Sequence, residues 1–329
     1  MKVRWYYFVI SFLSIVASAS NSMAQGILDG EEQSNSAYPY LEISQRPEWN
    51  AAIVSTWLGG SKMDESSGEL SMREAKVVLH RRYRATSQMV FITGIHYSVL
   101  DIGAPKAARL PETLHAISVS FGGDYRLSDK MGLALTISPG FRSDFKSIGT
   151  EDLRVPVTLR GRYHISKELT LLGGIRYLGG NRDLGTNRTS QIMPLIGIQY
   201  KPSEEWSLTL GLPFIDITYK PSELWVFSLG FPRTAITFKP KKGTEYFIKG
   251  ELTGGGVYSI HDSSIGTDSI SYRDYRASTG VDYLLFSVVR LGVSGGYSFA
   301  RKLEFDDRDR SNLNLAGTPF ARIEAKFSW

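Results

Sequence analysis

Residues 155–177 read VPVTLRGRYHISKELTLLGGIRY, and apolar and polar side chains alternate in two successive runs. In the first run Val157 and Leu159 alternate with Arg160 and Arg162. Successive side chains of a β-strand point to opposite faces of the sheet, so this run predicts a strand with one apolar and one charged face. The run LTLLGGIRY repeats the pattern after the turn HISKE, and the two together predict an antiparallel hairpin.

The same alternation recurs from Trp49 onward, and the connections between runs are alternately short and long. Short turns at one end of a sheet and long polar loops at the other are typical of an antiparallel up-and-down barrel in a membrane. The alternation predicts strands near 50–60, 70–83, 88–99, 114–125, 131–141, 153–163, 168–178, 190–200, 245–256, 270–283, 288–300 and 318–329, with further strands in the repeat at 200–240.

Composition narrows the class of protein. The 329 residues include 32 Gly, 17 Tyr and 16 Phe, which suit strands and tight turns. There is no cysteine, so disulfides cannot stabilise the fold. The formal charge of +5 falls to +3 without Lys2 and Arg4, which is too small a surplus to predict nucleic-acid binding.

The N-terminal segment predicts export. Lys2 and Arg4 precede the apolar run WYYFVISFLSIVA, and small residues lead to Ala24. This is the layout of a secretory signal peptide, so we expect cleavage near Ala24/Gln25. The predicted organisation is a signal peptide at 1–24, a polar lead-in at 25–48 and a single barrel at 49–329.

The last nine residues, ARIEAKFSW, alternate strictly and end on an aromatic ring. Together with the signal peptide and the hairpin series, this stretch resembles the terminal strand of bacterial outer-membrane β-barrel proteins. Phrases such as RDYRASTGVDY and GGYSFARKLEF resemble an uncharacterised family of such barrels. The resemblance implies a location in the cell outer membrane, contact with its lipid, and recognition of Phe327 and Trp329 by the barrel-assembly machinery.

Aromatic residues precede the predicted short turns in strand after strand. Tyrosine has an apolar ring and a polar hydroxyl, so a row of such residues predicts a girdle at the boundary between membrane and water. A soluble secreted β-protein with tyrosines capping its core is the alternative. The predicted girdle consists of Tyr83, Tyr125, Tyr163, Tyr200, Tyr219, Phe238 and Tyr283.

If the apolar face contacts lipid, the charged face lines the lumen. Rings of Arg or Lys bias a pore toward anions, whereas interleaved acids and bases predict salt bridges that fill a closed barrel. The sequence leaves both open. The candidate lumen-facing residues are His80, Arg82, Arg160, Arg162, Arg176, Arg276, Asp282, Arg290, Arg322, Glu324 and Lys326.

The repeat at 200–240 decides the strand count. Its two copies share Tyr-Lys-Pro, Trp and Gly-x-Pro, and the apolar parity changes at Pro213 and at Pro232. A bulged long strand in each copy gives about 14 strands, whereas hairpins with loops at Pro213-Phe214 and Pro232-Arg233 give 16. We expect 14, with 12 or 16 as alternatives, because the half-strands are short for a crossing.

The chemistry-bearing residues give no recognisable catalytic motif. The five histidines lie in strands or turns without a nucleophile elbow, a HExxH sequence or a phosphate-binding loop. His164 is expected in a short turn. No metal site and no cofactor are predicted, and we expect no enzyme.

The sequence thus favours an integral outer-membrane barrel that forms a passive pore for small hydrophilic solutes. An enzyme in a barrel wall and a soluble secreted β-protein that binds a ligand are the alternatives. We expect no nucleic-acid partner, and the oligomeric state does not follow from the sequence.

Overall fold

The computed structural model of the chain describes residues 48–63, 66–179, 192–305 and 311–329. The predicted signal peptide and the lead-in up to residue 47 lie outside these ranges, and so does the predicted cleavage site. Within the described ranges, no helix is long and apolar enough to cross a membrane.

β-strands make up nearly all of the regular structure in these ranges, where two single-turn 3₁₀ helices lie in the connections at 106–108 and 150–152. The strand segments are β1 (Trp49–Met63), β2 (Ser66–Arg84), β3 (Met89–Gly103), β4 (Thr113–Arg126), β5 (Met131–Ile137), β6 (Gly140–Ser143), β7 (Leu153–Arg154), β8 (Val157–His164), β9 (Leu169–Tyr177), β10 (Ile192–Tyr200), β11 (Trp206–Leu212), β12 (Ile215–Ser222), β13 (Trp225–Phe231), β14 (Arg233–Lys241), β15 (Thr244–Ser259), β16 (Ser269–Leu285), β17 (Val289–Phe305), β18 (Leu313–Leu315) and β19 (Thr318–Ser328).

These 19 segments form 16 antiparallel strands, because β5/β6, β7/β8 and β18/β19 are each one interrupted strand. Pro139 and Pro156 lie at two of the interruptions, where proline cannot donate to the ladder. Pairing of β1 with β19 closes the barrel. The prediction of an antiparallel up-and-down barrel is confirmed, and the preferred count of 14 strands is wrong.

The repeat forms two hairpins instead of two bulged strands. β11 pairs with β12 in a register that places Leu210 opposite Ile215, and β13 pairs with β14 with Ser228 opposite Ala235. The turns therefore lie at 212–213 and 231–232, one residue earlier than predicted. Both contain a cis X-Pro bond, at Leu212-Pro213 and at Phe231-Pro232.

The outer surface is an apolar belt. Outward positions carry large exposed side chains on every part of the wall, such as Ile95, Phe121, Ile175 and Val293. A soluble protein does not leave a continuous apolar band of this kind in water. The belt is the surface that a barrel presents to lipid.

The barrel narrows at the long-loop end. β15 pairs with β14 only as far as Glu251, and its upper part leans across the lumen until Ser259 lies opposite Ser143 of β6 in a parallel pair. The strand pairings at this end close a second, smaller circuit, which we call the upper ring. Its members are β15, β16, β17, β18, β1, β2, β3, β4 and β6.

An apolar cluster fills the upper ring. Buried side chains from its strands and from the 260–268 loop pack together there, and Leu70, Leu114, Ile270 and Leu303 are completely buried. Burial of one large apolar side chain stabilises a fold by about 1.5–3 kcal/mol. The long-loop end therefore has its own hydrophobic core inside the barrel.

A β-bulge reverses the facing of side chains in the upper part of β17. Ala300 has a positive φ of 48°, and the register between β16 and β17 shifts between Arg273 and Tyr275. A bulge adds one residue to a strand and so inverts the facing of those beyond it. Tyr297 is exposed on the outside, whereas Arg301 points inward and is 1% exposed.

Candidate functional site: the lumen and its side exit

The Arg276 guanidinium is almost fully buried in the lumen. It donates to both carboxylate oxygens of Glu74, at 2.9 and 2.7 Å, and to Asp274 at 2.8 Å. Ser298 Oγ donates to the same Asp274 carboxylate at 2.5 Å, and Thr253 Oγ1 donates to it as well. Glu74 lies on β2 and Arg276 on β16, so this network joins separate parts of the wall across the lumen.

A second network lies beside the first. Arg322 donates to Glu251 at 2.6 Å and to Thr56 Oγ1 at 3.1 Å, and Lys249 lies 3.3 Å from the same Glu251 side chain. Buried charges are tolerated when they are paired and hydrogen-bonded, and here each acid has a base. This side of the lumen, next to β15–β19, β1 and β2, is filled by balanced ion pairs.

The remaining predicted residues on this side lie nearer the short-turn end. Arg290 lies 3.1 Å from Glu245, and Lys326 lies 3.0 Å from Glu324. Asp282 lies between these pairs and is partly exposed. On β2, His80 and Arg82 are also partly buried, and Gly94 faces His80 so closely that a Cβ there would lie 2.1 Å from the imidazole.

The opposite side of the lumen is basic. Arg160 and Arg162 of β8 and Arg176 of β9 occupy the inward positions that the alternation predicted, and all three are partly buried. Arg162 donates to both oxygens of Asp124 on β4, at 3.0 and 3.3 Å. The inward positions of β4–β9 carry the arginines Arg126, Arg142, Arg154, Arg160, Arg162 and Arg176 and the single carboxylate Asp124.

A cleft lies where β15 leans over this basic side. It is small, with a cavity volume of about 30 Å³. Val257 from the outward face of β15 closes it on one side, and inward side chains of β3–β8 form the other. The lining residues are His96, Ala116, Ile117, Ser118, Ser138, Gly140, Arg142, Arg154, Pro156, Leu178 and Val257.

Apolar side chains line the lumen next to the two Pro hairpins. Met193 and Leu195 of β10 are buried, and Leu178 and Phe231 pack against them. Phe231 also packs against Leu252 of β15, which is buried too. One ring, that of Phe231, thus joins the inner face of β10 to β15.

Phe214 extends this apolar surface at the tip of the first hairpin. Its side chain is buried, and it lies over two glycines of β10 and β11. A Cβ at Gly211 would come within 2.8 Å of the Phe214 ring, and one at Gly197 within 3.2 Å. The ring occupies the space that side chains at these positions would otherwise fill.

The wall is low at β11–β14, which we call the low wall. The height of the wall above the tyrosine row differs between strands. In β16, the outward Tyr275 lies eight residues above Tyr283, whereas the upper end of β12, at Ile215, lies only four residues above Tyr219. At a rise of ~3.3 Å per residue and a tilt of ~40°, the tips lie ~5–10 Å below the top of the apolar belt. The low wall therefore ends inside the lipid layer.

The long loops that complete the narrowing are tied together around Asp144. Its carboxylate accepts hydrogen bonds from the backbone N–H groups of His261, at 3.1 Å, and Asp262, at 3.0 Å. His261 Nε2 lies 2.8 Å from Asp152. In the same loop the hydroxyl and backbone N–H of Ser264 bind the Asp262 carboxylate and lower its pKa.

The histidines outside the cleft have partners that position them. His115 contacts the Tyr97 hydroxyl at 3.0 Å and Thr113 Oγ1 at 3.2 Å, and His164 contacts Thr170 Oγ1 at 2.8 Å. His164 is the last residue of β8 instead of part of a turn. Over the described ranges, no group of three or more His, Cys, Asp or Glu side chains is arranged to hold a metal ion.

The predicted girdle residues all lie on the outside at the short-turn end. The ring of Tyr219 stacks on that of Trp206 with 4.2 Å between the ring centroids, and the centroids of Phe238 and Trp225 lie 4.6 Å apart. Tyr246 lies opposite Phe238 and belongs to the same row, although it is not among the predicted girdle residues. Six tyrosines of this row are each more than a third exposed: Tyr83, Tyr125, Tyr163, Tyr200, Tyr246 and Tyr283.

The seam that closes the barrel ends on two tryptophans. Trp49 and Trp329 exchange backbone hydrogen bonds of 2.8 and 3.1 Å, and their rings stack 6.0 Å apart. Phe327 pairs with Ala51 on one side and Val289 on the other. The alternating terminal strand is therefore paired on both edges.

A closed antiparallel wall, an apolar outer belt and charged inward positions are now established. The chain is a β-barrel of the outer-membrane type. No protein-family model and no curated protein matches the sequence.

Solved barrels resemble its fold at low identity. An outer-membrane channel from Pseudomonas putida F1 is 12% identical, with a TM-score of 0.43, over 89% of this chain and 100% of that chain. A mutant of the TodX monoaromatic hydrocarbon channel is 8% identical, with a TM-score of 0.43, over 89% of this chain and 95% of that one. The KdgM porin is 7% identical, with a TM-score of 0.28, over 84% and 99%. These likenesses are between barrels and concern the fold alone.

Several functional residues were missed from the sequence. Asp124 stands at an inward position directly before Tyr125, so the alternation alone could have identified it. Met193 and Leu195 lie in IMPLIGI, a run that is apolar on both faces, which signals a strand buried on both sides. Arg301 had no such signal, because the bulge at Ala300 reverses its facing.

Proposed function

We propose that this protein is a passive channel that favours small anionic solutes. The observation that carries the proposal is the division of charge within the lumen. Balanced ion pairs fill the side next to β15–β19, β1 and β2, whereas the inward positions of β4–β9 carry six arginines and one aspartate. Clustered guanidinium groups bias a pore toward anions.

The path we propose runs along the basic side. The apolar core of the upper ring obstructs the long-loop end above the ion pairs, so solutes would pass beside β4–β14. The position of Arg160 and Arg176 on β8 and β9, opposite the networks around Arg276 and Arg322, supports this path.

Conductance in a planar bilayer tests this function. Refolded protein is placed between unequal KCl solutions, and the reversal potential is measured. We expect a sign that reports chloride preference, and we expect the paired substitutions Arg160→Gln and Arg176→Gln to shift it toward zero. Arg81→Gln, on the outer surface beside Glu48, serves as the control. Absence of conductance from folded protein would refute the channel.

A further inference from the structure

The low wall leaves a gap in the side of the barrel, which we call the side exit. Its floor is the pair of hairpin tips at 212–214 and 231–233. Its two sides are the upper part of β10, beyond its pairing with β11, and the upper part of β15, beyond its pairing with β14. Over the described ranges no strand lies between these two sides above the hairpin tips, and the apolar core fills the upper ring beside them.

One side of this exit is apolar from the membrane to the lumen. Leu212 and Ile196 at its rim are 58% and 63% exposed on the lipid side. Just inside, Met193 and Leu195 contact Phe231, which reaches Leu252. An apolar chain dissolved in the lipid would therefore meet apolar side chains at each step inward.

The cleft that borders the exit beneath β15 is cationic. Arg142 and Arg154 line the cleft under Val257, together with the hydroxyls of Ser118 and Ser138. Leu178 lines the same cleft and also packs against Met193 and Leu195. The cationic and apolar surfaces are therefore continuous through one side chain.

We propose that the side exit binds small anionic amphiphiles, with a carboxylate head at Arg142 and Arg154 and an alkyl tail along Leu178, Met193 and Leu195, and passes them between the lumen and the outer leaflet. Guanidinium groups hold carboxylates through paired, charge-assisted hydrogen bonds. The hairpin tips end within the lipid layer, so an amphiphile already in the membrane reaches the site without crossing water.

This inference goes beyond the proposed anion channel and does not depend on it. A barrel that conducts no ions could still bind an amphiphile at its side, and a conducting barrel could fail to bind one. Photolabelling and conductance therefore separate the two proposals.

The first experiment maps the site with a dodecanoate that carries a diazirine at its chain end. The full-length protein is reconstituted in phosphatidylcholine vesicles, irradiated, and analysed by peptide mass spectrometry. We expect labelling at Met193, Leu195 or Phe231, and we expect dodecanoate to displace it while dodecyltrimethylammonium does not. Labelling confined to lipid-facing positions such as Ile198, or equal displacement by both amphiphiles, would overturn the proposal.

Two variants test the head and the tail separately. Arg142→Gln with Arg154→Gln should weaken competition by dodecanoate by about tenfold, the loss expected for hydrogen bonds to a charged group. Leu195→Gln should reduce labelling while Leu195→Ile retains it. Arg81→Gln is the matched charge control. Heat-modifiable migration on gels verifies that each variant is folded, and unchanged competition by a folded double variant would refute the role of the two arginines.

Discussion

At the scale of single residues, the contribution of an arginine to stability depends on how deeply its ion pair is buried. Arg276 is almost fully buried between Glu74 and Asp274, whereas Arg81 lies at the surface beside Glu48, with about half of each side chain exposed. Removing one partner of a buried pair leaves an uncompensated charge, while an exposed pair is screened by water. The two arginines should therefore differ greatly in their contribution to stability.

Arg276→Ala should destabilise the barrel by about 3–5 kcal/mol, because it leaves two buried carboxylates without a base. Arg81→Ala should cost less than about 1 kcal/mol. Urea unfolding of the protein in lipid vesicles, followed by tryptophan fluorescence, measures both. Equal losses for the two variants would contradict the buried network.

Glycines on the wall differ in the space around them. A Cβ at Gly296 would lie 2.0 Å from the carbonyl oxygen of Ala277, a backbone atom held in the ladder, whereas nothing lies within 4 Å of one at Gly173. Gly296→Ala should therefore cost about 1–3 kcal/mol through overpacking. Gly173→Ala should leave the urea midpoint unchanged, and a loss at Gly173 as large as that at Gly296 would show that space is not the cause.

At the scale of strands, the sequence was informative where side chains alternate without interruption. The run 155–177 and the terminal ARIEAKFSW became strands, because period-two alternation follows directly from strand geometry. The predicted number of strands is wrong because of the segments around Pro213 and Pro232, which are short for strands that cross a membrane. In the structure these short strands form the low wall, which ends below the rest of the barrel. The upper ring is closed without them, because the upper part of β15 pairs with β6.

The seam between Trp49 and Trp329 gives a test of the terminal strand. Trp329→Ala removes a ring stack worth about 1 kcal/mol and leaves the backbone bonds in place. If the terminal ring also marks the strand for the assembly machinery, as we propose, the amount of folded protein in cells should fall severalfold, far more than the stability loss explains. Trp57→Ala, on the outer wall, is the control. A deficit in cells no larger than that of Trp57→Ala would refute a signalling role.

At the scale of the whole molecule, the upper ring depends on contacts between strands that are distant in the chain. Alternation cannot predict that Ser143 and Ser259 meet, because it assigns faces to residues but not partners to strands. The same applies to the site: the sequence predicted which arginines face inward, but not which of them lie on the filled side. The low wall and the side exit follow from those long-range contacts.

Asp144 tests the closure of the ring. Its carboxylate accepts from the backbone of His261 and Asp262, and its own N–H donates to Ser259. Asp144→Ala should release the 260–268 loop and raise the single-channel conductance in a planar bilayer. Asp129→Ala, in an exposed short turn, should leave conductance unchanged. Identical conductance in both variants would show that the loop does not limit the path.

Unequal wall height also has a consequence for the lipids around the barrel. Next to β16 the bilayer meets an apolar surface of ordinary thickness, whereas next to β12 it meets one that is ~5–10 Å shorter. A mismatch of this kind costs a fraction of a kcal/mol per Å and is relieved by local thinning of the membrane or by tilting of the protein. The barrel therefore deforms its surroundings on one flank only, which gives it a preferred direction within the plane of the membrane.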